Sequence, residues 1–292
     1  MKILIVGYGY VGEPLASELV NDGHQVVAIR RSEVALPLYC GIEFIQADAT
    51  RSDQLARLPD NIDQIVCAVS PDGRTKEHYR SAYPDLVRAL MVRFPRARIL
   101  LISSTAVYEQ SQAEVVDDHA TAEATSETAA QIKCAEDYLL EHATTDTESL
   151  RSTLALHPVV IRASGIYGPG RTRLLSALAH HDLDPQDEDT WTSRVHRDDL
   201  VAIISFLIKK PNLRGIFNAS DPNPCQLKEL AVWAKTNVAK TSLEATSPPG
   251  RQRKSRRIMP ERLIKLGYQF RYPKFSDGYR HVLDHTMTTG PL

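Results

Sequence analysis

Three glycines near the start of the chain have the spacing of a phosphate cradle: Gly7, Gly9 and Gly12, in the run Gly7-Tyr8-Gly9-Tyr10-Val11-Gly12. Each has a separate task. Gly7 makes a turn, Gly9 lets backbone approach a pyrophosphate, and Gly12 allows a helix to pack closely on a strand. The backbone of Tyr8, Tyr10 and Val11 completes the cradle, and the N–H groups that open the following helix attract phosphate. About 20 positions on, a carboxylate would take the adenosine ribose of NAD. Arg30 and Arg31 stand there instead, beside Ser32. A guanidinium fork suits a phosphate, so both arginines are expected on the 2′-phosphate of NADP. NAD stays open as the cofactor, because the pair also reads as solvated charges at a strand end.

The elements that must position these residues are legible. The apolar run Lys2 to Val6 precedes the glycines, a helical pattern follows to about Asn21, and a second strand spans Gln25 to Ile29. Further strand candidates are Glu43–Gln46, Gln64–Val69, Ile99–Ser103 and Val159–Arg162. Helical patterns lie between them around Asp53–Arg57, His78–Phe94 and Glu123–His142. Continuous apolar strands alternating with helices predict an α/β fold with a Rossmann-type doubly wound parallel sheet. Its ligand crevice should lie beyond the carboxyl ends of the strands, where Asp48, Ala68 and Ser103–Tyr108 fall. After Gly170 the alternation weakens. The acidic stretch Asp182 to Asp189 reads as a loop, followed by a helix Asp198–Lys209, a strand Gly215–Asn218 and a helix Leu227–Thr236. The expected division is a dinucleotide-binding domain over residues 1–170 and a small mixed C-terminal substrate lobe over 171–292, interleaved with the core.

Composition sets outer bounds. The 292 residues carry a formal net charge of −1, so nothing in the total points to nucleic acid or a membrane surface. The most apolar helical stretch, Leu200 to Ile208, is too short to span a bilayer. A first strand at residue two leaves no room for a signal peptide, and the four cysteines (Cys40, Cys67, Cys134, Cys225) lack metal or redox spacing. Reduced thiols and a cytoplasmic location are the expectation.

Later motifs join the glycine turn in a specific order: Ala47-Asp48-Ala49, Ser103-Ser104-Thr105-Ala106-Val107-Tyr108, Arg162-Ala163-Ser164-Gly165-Ile166-Tyr167-Gly168-Pro169-Gly170, Val195-His196-Arg197-Asp198-Asp199 and Phe217-Asn218-Ala219-Ser220. Over almost its whole length the chain resembles the extended and atypical branch of the short-chain dehydrogenase/reductase superfamily, the NAD-dependent epimerase/dehydratase-like proteins. The resemblance implies an NAD(P)-binding protein, an oxidoreductase acting on a small hydroxylated or sugar-like compound. It places Asp48 near the adenine; Ala68, at the crevice end of its strand, is expected against the cofactor. It also admits a homodimer through the helices His78–Phe94 and Glu123–His142.

In that family a Tyr exchanges a proton with the substrate while hydride moves to or from the nicotinamide. A Lys lowers the Tyr pKa and holds the ribose, and a Ser bonds the reacting oxygen. Ser104 aligns with the Ser and Lys133 with the Lys. The Tyr position, one helical turn before Lys133, holds Ala129. A positioned acid–base group contributes about 10²–10⁴-fold, and alanine has no proton to give. Three readings stay open. Another group (Tyr108, Tyr167, Tyr79, Tyr83 or His78) supplies the proton; the chemistry no longer needs it; or the chain is a non-catalytic NAD(P)-binding sensor.

Substrate contacts are expected from Ser104, Tyr108 and Tyr167, and from the basic run Arg251 to Arg257, five cations in seven residues. Within it Lys254 and Arg257 suit an anionic small molecule. One such loop is too little for a nucleic-acid footprint. His196 reads as a structural histidine, and His180-His181 alone is too little for a metal, so none is expected.

Overall fold

β1 (Lys2–Val6) carries four consecutive apolar residues, all buried, as a strand covered on both faces requires. The computed structural model describes residues 1–32, 41–110, 114–142, 157–238, 243 and 255–289. β2 (Gln25–Arg30), β3 (Ile42–Gln46), β4 (Gln64–Cys67) and β5 (Arg98–Ser104) join β1 and the strands Val159–Ala163 and Gly215–Ala219 in one seven-stranded parallel sheet. Across the sheet the order is Gly215–Ala219, Val159–Ala163, β5, β4, β1, β2, β3. The chain therefore winds outward from β1 through β2 and β3, then crosses back to β4 and β5 on the other side. That reversal makes the sheet doubly wound and puts its switch point beside β1. Val6 lies opposite both Ile29 and Cys67, so the three strands end level, at the start of the glycine turn.

The helices between these strands are α1 (Gly12–Asn21), α2 (Ser52–Leu55), α3 (Lys76–Arg80), α4 (Leu86–Arg93) and α5 (Glu127–His142). The sequence predicts one helix over His78–Phe94. The structure instead has a wider, π-type turn at Ser81–Asp85 between α3 and α4. Pro84 lies inside it. With no N–H and a bulky ring, proline cannot continue the α-helical ladder, and the loosened turn absorbs it.

The amino ends of β4 and β5 hold a buried polar knot. Arg98 donates through Nε to the His157 carbonyl at 2.7 Å and through Nη2 to that of Leu213 at 2.7 Å. Its Nη1 reaches the Leu207 carbonyl at 3.0 Å and Gln64 Oε1 at 3.2 Å. Burial among carbonyls pulls this guanidinium down to about 10.

The chain divides into two compact units. One comprises Met1–Tyr108, Ala122–Arg162 and Val201–Phe217; the other comprises Glu109–Thr121, Ala163–Leu200 and Asn218–Leu292. The second unit is mixed. Its strand pairs are Arg194–His196 with Gly165–Tyr167, Cys225–Gln226 with Trp191–Thr192, and Arg256–Ile258 with Glu114–Val116. Its helices Arg173–His180 and Leu227–Val238 close on Tyr167, Leu175, Leu230 and Tyr279. Among the described residues no helix is long and apolar enough to cross a membrane, and Cys67, Cys134 and Cys225 are free thiols.

Candidate dinucleotide site

The turn after β1 is built from its own backbone. The N–H groups of Gly7 and Tyr8 both donate to the Ile29 carbonyl, at 3.0 and 3.1 Å, and that of Gly9 donates to Gly7 at 3.0 Å. These three donors are spent within the turn. Val11 precedes that helix and has no side-chain oxygen to cap it. Two of the glycines are fixed by packing. Gly7 has φ +105°, and a Cβ there would lie 2.6 Å from the Ala68 carbonyl oxygen. A Cβ on Gly12 would lie 2.0 Å from the carbonyl oxygen of Gly7. Gly9 is different: a Cβ there meets nothing within 4 Å. No steric demand of the fold keeps Gly9 a glycine.

Around this turn, the Tyr8 ring is buried edge-on against Phe44, with centroids 5.7 Å apart. Ala68 follows β4 and packs its own backbone against Gly7. Asp48 curls onto its own turn, Oδ1 accepting from the N–H and hydroxyl of Thr50 at 2.9 and 2.7 Å. Arg30 is exposed at the end of β2. Arg31 is committed elsewhere: both arms of its guanidinium hold the carboxylate of Asp72, Nη1 at 2.6 Å from Oδ2 and Nη2 on Oδ1. Asp72, in the segment after β4, carries no motif that would have singled it out.

Ser104 ends β5 and opens a short helical turn, its Oγ accepting the Ala106 N–H at 3.1 Å. The hydroxyl proton is left to donate. Ala129 and Ile132 lie on the buried face of α5. Lys133 turns to the flank of that helix, where its ammonium pairs with Asp137 one turn on. It lines a groove of about 410 Å³ with Arg88, Cys134, Tyr138 and Glu141. The alternative proton donors differ in burial. Tyr83 is buried, which raises its phenol, and it stacks on the half-buried Tyr79 at 6.0 Å. His78 is exposed and bonded to Thr75 at 3.2 Å.

Behind Ser104 lies a network that the motifs do not announce. Ser103 donates to Glu136, and Glu136 accepts from Arg162 Nε at 3.1 Å and Nη2 at 2.6 Å. The Arg162 guanidinium sits 4.7 Å over the ring of Tyr108, which is fully buried and has no surface to offer a substrate. Two signals were in the sequence: a charge inside the apolar strand Val159–Ala163, and Glu136 on the apolar face of α5. Each demands a partner.

In the second unit, Tyr167 is also a core residue. Its ring lies 4.3 Å from Tyr279 and 5.2 Å from His196, and burial raises its phenol. Arg257 is half-buried with its guanidinium 5.1 Å over Trp191; Lys254 falls outside the described residues. One grouping that linear spacing hides does form: His196, Asp198 and His281 each bring a ligand-type atom within 4.8 Å of the others. His196 Nδ1 accepts the Asp198 N–H at 3.1 Å, and Arg197 takes the Asp198 carboxylate at 2.8 Å, so two of the three are already engaged inside the fold.

The same architecture recurs in known proteins. The chain is 28% identical to Protein YeeZ of Escherichia coli (strain K12) over 233 residues, covering 76% of this chain and 78% of that one. A structure assigned as an NAD-dependent epimerase/dehydratase from Methylobacillus flagellatus superposes with a TM-score of 0.75 at 28% identity, covering 98% of both chains. The UDP-glucose 4-epimerase of Thermus thermophilus, solved in complex with NAD, shares the fold at a TM-score of 0.78 and 18% identity over 99% of this chain and 100% of that one. A model of the NAD dependent epimerase/dehydratase family matches residues 3–219, strands, glycine turn and Ser104 included, and the chain belongs to that family.

Proposed function

We propose that this chain binds an NAD(P) dinucleotide along the carboxyl end of its sheet and works as an oxidoreductase on a small hydroxylated, sugar-like substrate. The observation that carries the reading is Gly9, a glycine with open space where its side chain would be, between two glycines that packing alone explains. The start of α1 would hold the pyrophosphate, Asp48 would lie toward the adenine, and Arg30 and Arg31 would lie toward the far ribose. The bound dinucleotide would supply a hydride donor or acceptor. Ser104 would direct its hydroxyl proton at the reacting oxygen and hold it in place. The second compact unit, which holds 171–200 and 218–292, is proposed as the substrate lobe, with Arg257 as a cation for an acidic substrate. The UDP-glucose named for the activity of one structural relative supports that substrate class.

A second reading has its own observation. By its spacing from Lys133, Ala129 is proposed to stand where the family's proton donor would, and its burial favours a dinucleotide sensor without turnover.

Calorimetric titration with NADP⁺ and NAD⁺, on the wild type and on Gly9→Val, tests the site. Binding by the wild type that Gly9→Val abolishes, with thermal stability unchanged, supports it. No binding of either dinucleotide removes the oxidoreductase reading. The bound reduced cofactor then separates enzyme from sensor: loss of its absorbance on adding oxidised nucleotide-sugars in a single turnover requires chemistry, and an unchanged spectrum favours the sensor.

A further inference from the structure

Arg31 follows β2 and Asp72 follows β4, and in the sheet β1 lies between those two strands. Neighbouring strands are about 4.8 Å apart. The ion pair therefore ties the segment after β2 to the segment after β4, which leave the sheet on either side of β1 and its glycine turn. Its grip is two-toothed, and both side chains are about half exposed, at 55% and 54%. An ion pair so open to water contributes little to folding, so stability gives it no role. Its position does. The guanidinium it engages is one of the two that stand where a carboxylate would mark an NAD site.

We propose that Asp72 is a specificity residue for the dinucleotide. Clasped on Arg31, it withholds the guanidinium fork from a 2′-phosphate and sets a carboxylate beside the place that phosphate would occupy. Discrimination between the two cofactors then rests on the Arg31–Asp72 pair rather than on the arginines alone. The hydrogen bonds from Arg31 lower the Asp72 carboxyl, which keeps it charged at neutral pH. A 2′-phosphate must break the clasp or share it against that charge; a bare 2′-hydroxyl meets no such repulsion. The inference rests on the dinucleotide reading of the glycine turn and adds a residue to it.

The test uses the adenosine end alone. Binding of 2′,5′-ADP and of 5′-AMP is measured calorimetrically on the wild type, Asp72→Asn, Arg31→Ala and the double variant, with NADP⁺ and NAD⁺ as full-length controls. Asp72→Asn should tighten 2′,5′-ADP by about tenfold while 5′-AMP stays within about twofold, and the gain should shrink with added salt. Adding Arg31→Ala to it should cancel the gain. Equal changes for both nucleotides, or none for 2′,5′-ADP, overturn the proposal while leaving the dinucleotide site intact. Failure of every variant and the wild type to bind NADP⁺ or NAD⁺ overturns the site itself, and this inference with it. Both side chains are exposed, so equal melting temperatures are expected and confirm that binding alone has changed.

Discussion

The carboxylate of Glu136 holds the guanidinium of Arg162 by Nε at 3.1 and 3.2 Å and by Nη2 at 2.6 Å, with neither side chain more than 2% exposed. The pair ties the middle of α5 to the strand Val159–Ala163. Through the hydroxyl of Ser103 it also anchors the end of β5, one residue before Ser104. Taking two charges out of water is costly, and each is tolerated because the other is there. Glu136→Leu should therefore cost about 3–5 kcal/mol in chemical denaturation, since it strands a buried cation. Adding Arg162→Met should recover most of that loss, because an apolar pair of similar volume replaces the ion pair. A single variant within about 1 kcal/mol of the wild type would show that the brace is dispensable.

Stability and binding should separate within the glycine turn. Gly12→Ala drives a Cβ to 2.0 Å from backbone, the Gly7 carbonyl oxygen, which cannot rotate away. A loss of about 1–3 kcal/mol is expected. Gly9→Ala meets nothing and should stay within about 0.5 kcal/mol of the wild type. Equal destabilisation by both would mean that Gly9 is also a packing glycine, held by the fold rather than by a ligand.

A tyrosine at the proposed proton-donor position, Ala129, should not create a site. Ala129 is 2% exposed on the inward face of α5, so a tyrosine there overpacks the helix against the sheet. Ala129→Tyr should lower stability by about 1–3 kcal/mol and add no dinucleotide-coupled turnover. A variant as stable as the wild type that gains turnover would show instead that the position still opens on the crevice.

What the sequence displayed well was local or periodic. β1, the glycine turn and α1 are contiguous, and their chemistry is written in adjacent residues. The sheet followed from runs such as Gln64 to Cys67, and the family from motifs in fixed order. Two kinds of feature were hidden. Arg31 and Asp72 are 41 positions apart, joined only because the sheet order brings the ends of β2 and β4 to either side of β1. Tyr108 and Tyr167 sit in motifs at strand ends and read as crevice residues, yet both are core. An aromatic beside a strand end looks the same in sequence whether it faces solvent or packs under Arg162. Lys133 shows the same limit, since spacing sets which face of a helix a residue is on but not which way a long side chain turns to find its carboxylate.

The second unit should show a pH dependence traceable to Asp221. This carboxylate is 3% exposed and accepts a hydrogen bond from the Asn223 N–H at 3.1 Å. Burial is the largest influence and raises its pKa well above 3.8; the Asn223 hydrogen bond and the charge of Arg194 oppose it. A carboxyl raised in the folded state adds stability that is complete below its unfolded value and is lost as pH climbs through its folded one. Above the unfolded value the native chain must either hold a proton or bury a charge, while the unfolded chain ionises freely in water. Asp221→Asn keeps an oxygen for the Asn223 N–H and removes that charge. The variant should be more stable than the wild type at pH 8. The gap should close as pH falls toward 3.8. Denaturation curves at a series of pH values would show it. A variant less stable than the wild type at pH 8 would mean that the attraction of Arg194 outweighs the cost of burial, and that Asp221 is held as an ion-pair partner.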